Sequence, residues 1–242
     1  MVAITDVLDS VAREARIGTP ASWLTDEDED YELIAKNFLR EVAEELLARL
    51  DLPQPISQQT VITGDGTEDY DLPTNFLRLQ RDATAVYETT TTRRAGVPIS
   101  DDGVWTHIKQ VGTAGGARFY RIRGYDGAFE IDFYDTPGSN VSITVHYVSK
   151  NWMVSSGGTY GSEFTDPDDI LLIPRRPVEL GILWRYRRDK GLFYDDIKSE
   201  FEAYVTRLIN DSRQIKSISF ANDPTPDAKV MRVPVPDYIP DT

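Results

Sequence analysis

Between residues 61 and 79 the hydrophobic pattern of this chain changes period. Before Val61, apolar residues recur at helical spacing; after Leu79, for about eighty residues, they alternate or cluster in short runs. Val61 and Ile62 read as a strand, and Gly64-Asp65-Gly66 as a turn, since glycine accepts positive φ without steric cost. Pro73 removes a backbone donor and disfavours helix at Leu72, so the chain there is extended or turning into Phe76-Leu77-Arg78-Leu79. A helix-to-strand handover at this point predicts an α+β protein with a β domain inserted into a helical one.

Upstream, Ile4, Val7, Leu8, Val11, Ala12 and Ala15 mark one helical face, with Thr5 as N-cap and Gly18 as stop. The acidic run from Asp26 to Asp30 suits a helix N-terminus, and it lacks the glycine and spacing of a calcium loop. Ile34, Phe38, Val42, Leu46 and Leu50 recur every four residues in a second helix, which Asp51-Leu-Pro-Gln-Pro55 ends. Strands are predicted over 59–63, 76–81, 85–88, 118–123, 128–134 and 141–148, enough for a small sandwich or barrel. Residues 104–111 read either as irregular chain or as a short helix. Two more helices follow Pro174, the first ending at Gly191 and the second carrying Ile197, Phe201, Tyr204, Val205, Leu208 and Ile209; one glycine between them predicts an αα-hairpin. The predicted division is a four-helix bundle-like domain from 1–57 and 165–215, an inserted antiparallel β domain over 58–150, a linker at 151–164 and an extended arm over 216–242.

That arm holds five prolines, at 224, 226, 234, 236 and 240, and the apolar residues Phe220, Val230, Met231, Val233, Val235, Tyr238 and Ile239 without a helical stripe. A proline-spaced segment of this kind does not fold alone. It reads as a docking arm for a partner or a neighbouring subunit, or as a tail laid on its own domain.

Chemistry is sparse. The chain has no cysteine, so no disulfide, thiolate metal site or cysteine nucleophile. His107 and His146 are its two histidines, and no HExxH, G-x-S-x-G or P-loop is present. No cofactor or metal is expected. Glu130 with Asp132 and Asp195 with Asp196 are acid pairs of the kind a glycosidase needs across a cleft; in a chain with 40 acids such pairs arise without a role. Tyr120, Tyr125, Phe129, Phe133 and Tyr134 suit either a sugar-stacking platform or a β core. At a net charge of −14 the chain is a poor candidate for gripping nucleic acid. The basic cluster from Arg175 to Arg188 reads as a helix face paired to the acidic helices or as an interface with an acidic neighbour, and Arg185, Arg187 and Arg188 are the candidate subunit-interface residues. No run of about 18 apolar residues or signal peptide appears, so a soluble, non-membrane protein is expected.

The opening helix, the segment Tyr70-Asp-Leu-Pro-Thr-Asn-Phe-Leu-Arg-Leu79, Tyr120-Arg-Ile-Arg-Gly124, the strand ending Tyr147-Val-Ser-Lys150, and Trp184-Arg-Tyr-Arg-Arg-Asp-Lys-Gly-Leu-Phe-Tyr194 follow one another as they do in bacteriophage head-to-tail adaptors. The chain resembles that family, also called head-completion or tail tubular proteins and including gene-transfer-agent relatives, over most of residues 1–215. The resemblance implies a structural virion protein rather than an enzyme, assembled in the host cytoplasm. It implies a homo-oligomeric ring, commonly a dodecamer, beneath the portal protein, extending the DNA channel towards a tail or stopper protein and touching passing DNA only transiently. The two rival readings are a cell-wall glycosidase using a carboxylate pair and a carbohydrate-binding tail module.

Overall fold

The computed structural model describes residues 2–81, 85–90, 94–112, 118–125 and 127–214. Helix α1, Ile4–Ala15, starts two residues earlier than the sequence suggests. Its N-cap is Ala3, not Thr5, because Val2–Ala3 (β1) pairs with Ile170–Leu171 and the Ile4 N–H donates to the Asp169 carbonyl at 2.8 Å. It also ends earlier: Arg16 takes the left-handed conformation at φ 61°, and Ile17 N–H closes the end on Ala12 O at 3.0 Å, so Gly18 is not the stop.

Asp28 caps the next helix, its carboxylate accepting from Asp30 N–H at 2.9 Å, as the acidic run predicts. The helix runs without a break through α2 (Glu29–Glu32), a π-helical turn (Leu33–Phe38) and α3 (Leu39–Arg49). A strict four-residue repeat drifts by about 40° per step around a 3.6-residue helix. The wider turn, closed by Leu39 N–H on Ile34 O, takes back part of that rotation. Ile34, Phe38, Val42, Leu46 and Leu50 are all buried as a result.

The 70–79 segment then fastens the β part to this helix. In β4 (Phe76–Leu79), Arg78 donates to the carbonyls of Leu47 and Leu50 and to Asp51, and Arg81 reaches the carbonyls of Ala48 and Arg49. Two guanidinium groups thus satisfy the orphan carbonyls at the end of α3, where the helix dipole also favours positive charge.

The β part holds two sheets around one core. β2 (Ser57–Thr63), β9 (Ser142–Ser149), β4 and β5 (Val86–Glu88) form the first, with β9 central. β3 (Asp69–Asp71), β8 (Ala128–Phe133), β7 (Arg118–Tyr125) and β6 (Gly96–Pro98) form the second. Ile62, Phe76, Val86, Tyr120, Ile131, Phe133, Ile143, Val145 and Tyr147 fill the space between them. Gly64 is required by close approach: a Cβ there would lie 2.3 Å from Gly138 O. The three-residue β6, parallel to β7, is too short to leave a period in the sequence. Residues Asp102–Val111 resolve as a helix, α4, capped by Asp101 on Val104 N–H at 2.8 Å.

Residues 151–164, expected as a linker, carry β10 (Met153–Val154) and β11 (Tyr160–Gly161), a hairpin that turns through 155–158. With β1 and β12 (Ile170–Leu171) they make a small sheet against the helices, and Trp152, Met153 and Leu171 are buried in the helical core.

α5 (Arg175–Asp189) is buried on every side from Pro177 to Tyr186, with α1, α3 and α6 (Asp195–Gln214) packed around it. Gly181 permits the closest approach: a Cβ there would lie 2.6 Å and 2.9 Å from the Val42 methyls and 3.2 Å from the Phe201 ring. Alanine would gain about 1 kcal/mol of helix propensity, whereas overpacking costs about 1–3 kcal/mol. A net loss of stability on Gly181→Ala is therefore expected by chemical denaturation, and part of it should return when Val42→Ala is added.

Candidate interaction surfaces

The basic cluster divides into an inward and an outward half. Arg185 turns into the helical core, where it bonds Glu45, lies 3.3 Å from Glu41, donates to Gly181 O at 3.0 Å and stacks 4.5 Å from the centre of the Trp184 ring. Arg175 binds the buried Glu179 at 2.6 Å, and Arg176 joins Glu14 and Glu200. These arginines are paired with acids of the same chain, one of the two roles their clustering suggests. Arg187 is half-buried and donates to Phe193 O at 3.4 Å, while Arg188 is exposed, 5.0 Å from the Trp184 ring.

Beside them is the α5–α6 connection, which is longer than a single glycine. Gly191 at φ 65° makes the turn, Leu192-Phe193-Tyr194 follows, and α6 begins only at Asp195. Tyr194 turns back towards Trp184, but Leu192 is 52% exposed and Phe193 70% exposed. Trp184 has Lys198 on its face as well, 5.7 Å away. The end of the hairpin is thus an apolar tip with Arg188 and Lys198 beside it. Aromatic and arginine side chains of this kind make the strongest contacts at protein interfaces. The expectation of a one-glycine break between the helices hid this tip, and the signal that could have found it is the position of Leu192 and Phe193 immediately after a helix-ending glycine.

Lys190 holds the same end of α5 to the start of α2, with its ammonium 2.5 Å from Asp30, which also accepts from Tyr186 Oη at 2.9 Å. The Lys190 hydrogen bond holds the Asp30 carboxyl below its usual 3.8, and Arg49 likewise holds Glu202 below its usual 4.5. Burial first, and then the bond to Asp30, pushes the Tyr186 hydroxyl up to about 12. A carboxylate whose folded pKa is depressed contributes stability above its unfolded value and loses it as pH falls through the folded one. The melting temperature should therefore fall as pH drops below about 4.5, and Lys190→Met should make that fall shallower.

A second exposed surface lies on the β part. Val104 and Val111 stand out from α4, which is anchored by Trp105, and Tyr125 projects from the β7–β8 hairpin. His107 is exposed on α4, and His146 stacks on Tyr87 with ring centres 5.6 Å apart. The acids singled out in β8 are held by arginines: Asp132 by Arg121 at 2.8 Å and Arg123 at 2.5 Å, and Glu130 by Arg123 at 3.4 Å. Asp195 and Asp196 lie exposed in the first turn of α6, where the helix dipole favours negative charge. Among the described residues no group of three or more His, Asp or Glu side chains is placed to hold a metal ion, and no helix is long and apolar enough to cross a membrane. Of the aromatic set, Tyr120 and Phe133 are in the β core, Phe129 and Tyr134 are half-buried and Tyr125 is exposed, so the five do not form one platform. The arm residues Phe220, Val230, Met231, Val233, Val235, Tyr238 and Ile239 lie outside the described residues.

No curated protein matches the chain. A family model described as SU10 adaptor protein matches residues 3–226, a span that takes in all six described helices. With nearly its whole length matched, the chain belongs to the SU10 adaptor protein family and is a phage structural adaptor.

Proposed function

We propose that this protein forms a ring beneath the portal, commonly of about twelve copies as in head-to-tail adaptors, that lengthens the DNA channel and offers the tail or a stopper protein its seat. The observation that carries the reading is the family match over residues 3–226. The geometry supports it. The acids singled out for chemistry in β8 are tied to arginines, whereas apolar side chains stand exposed both on the α5–α6 connection and on the β part. A ring needs two such surfaces on each copy, since its contacts are heterologous and close by rotation. A net charge of −14 suits a channel past which DNA slides without adhering. Arg187 and Arg188, with Leu192 and Phe193, form the subunit-facing tip, and residues 216–242 grip the portal or a neighbour. Arg185 supports that tip from within the chain.

Replacing Leu192 and Phe193 together by serine should leave the melting temperature within about 1 °C and weaken self-association at least 10-fold by analytical ultracentrifugation, the loss of about one interface hot spot. The reading as a whole is tested in infected cells making no copy of this chain. Heads and tails should then accumulate unjoined, and particles that joined and kept their genomes would refute it.

A further inference from the structure

The first sheet of the β part ends in an open edge. β2 pairs with β9 on one side only. Ile56 O accepts from Ser149 N–H at 2.9 Å and Gly64 N–H donates to Val141 O at 2.8 Å, so the backbone groups of even-numbered residues along β2 face β9. Those of odd-numbered residues face outward. Among the described residues, no hydrogen bond reaches the outward groups of Gln59, Val61 or Thr63, and all three side chains are exposed, Val61 by 55%. Proteins protect an edge of this length with charge, proline or a bulge. Ser57–Thr63 has no charged residue and no proline, in a chain that is 27% charged, and its register with β9 runs without a shift. At one end the edge opens into a cleft lined by Gln54, Pro55, Gln59 and the exposed Tyr160.

The same chain carries a sequence whose spacing matches that edge. The arm prolines stand at 224, 226, 234, 236 and 240, every one an even position. In extended backbone, alternate residues direct their N–H to opposite edges, so every missing donor falls on one edge and the other keeps a full set. Around Pro234 and Pro236 the residues that keep donors on the competent edge are Met231, Val233 and Val235, with β-branched side chains at two of the three. Residues 228–236 carry Lys229 and Arg232 and no acid, unlike the rest of this acidic chain. At about 3.3 Å per residue, residues 215–242 can span up to about 90 Å, enough to leave one subunit and cross the next.

We infer that residues 230–236 of one copy add as an antiparallel edge strand to β2 of the neighbouring copy, with Val235 bonded to the backbone at Val61 and Val233 to the backbone at Thr63. The inference rests on the ring reading, in which each copy must both give and receive, and the arm and the open edge are such a pair.

The absence of native cysteine makes the test clean. Full-length Val61→Cys and Val235→Cys chains are mixed, allowed to associate and oxidised, with light scattering on the same sample. Disulfide-linked dimers joining positions 61 and 235, identified by peptide mass spectrometry, are expected. In the Val235→Cys chain, exchanging positions 233 and 234 (Val233→Pro with Pro234→Val) moves one proline out of phase without changing composition, and should abolish the cross-link. Cross-linking that survives this exchange contradicts the strand register. Rings that form without a 61–235 link overturn the inference and leave the adaptor reading standing. A link found only within single chains carrying both cysteines places the arm on its own subunit and also overturns it. Failure to associate at all overturns the ring reading with it.

Discussion

A chain ending at residue 215 should fold with an unchanged melting temperature and lose at least 100-fold in affinity for portal assemblies, about 2.8 kcal/mol at 1.4 kcal/mol per factor of ten. Among the described residues the two buried cores are built from side chains between Ile4 and Val205. Among the described side chains of α6 the last fully buried one is Val205, and Thr206, Arg207, Asn210 and Asp211 are exposed. The residues after 215 include Val230, Met231, Val233, Val235, Tyr238 and Ile239, spaced by prolines that prevent a helix. Apolar side chains gain when a partner covers them, at about 25 cal/mol per Å2 removed from water. Sedimentation of portal mixed with the full or shortened chain reads the result directly. Full portal binding by the shortened chain would show that the arm is not the grip.

The largest loss of stability expected from a single side chain is at Arg118. Its guanidinium and the Glu88 carboxylate are both almost fully buried, 3.2 Å apart, and Arg118 also donates to Asp135 O at 2.8 Å. Arg94 adds a second positive charge 3.5 Å from Glu88. The pair links β5 to β7, at the seam where the two sheets meet through the Tyr87–Ala95 bridge. A buried ion pair adds little over a well-packed apolar pair, but removing one partner strands the other charge at a cost of about 3–5 kcal/mol. Arg118→Met should therefore cost about 3 kcal/mol, the remaining attraction to Arg94 keeping it at the lower bound. At about 2–4 °C per kcal/mol for a chain of this size, the melting temperature should drop by about 10 °C. Adding Glu88→Leu should recover most of that loss. A double variant no better than the single one would show that the pair itself, and not the stranded carboxylate, stabilises the seam.

How much of this could be read in advance follows from where periodicity survives. α1, the 29–49 helix and the long strands β2, β7, β8 and β9 carry visible patterns and their bounds fall within a few residues of those expected, although β9 buries Thr144 and Val148 as well as Ile143, Val145 and Tyr147. α5 is different. Its charged residues Glu179 and Arg185 look like a wet face, yet both are buried because each meets an opposite charge from its own chain. No pattern of hydrophobicity shows a paired charge. The starts and ends of α1 were moved by tertiary contacts, β1 against β12 at one end and the left-handed Arg16 at the other. β1, β6, β10, β11 and β12 are two or three residues long and exist only because a neighbour supplies the ladder. Of the proposed interface residues, Arg187 and Arg188 lie at the exposed end of α5, beside the exposed Leu192 and Phe193, whereas Arg185 is buried against Glu45.

Electron microscopy of the protein bound to its portal reads the central claim most directly. A single ring of this chain stacked under the portal is expected, its axial channel continuous with the portal channel and each arm running across onto a neighbour or the portal. Copies scattered on the outside of the portal, or a complex with no channel through it, would contradict the account.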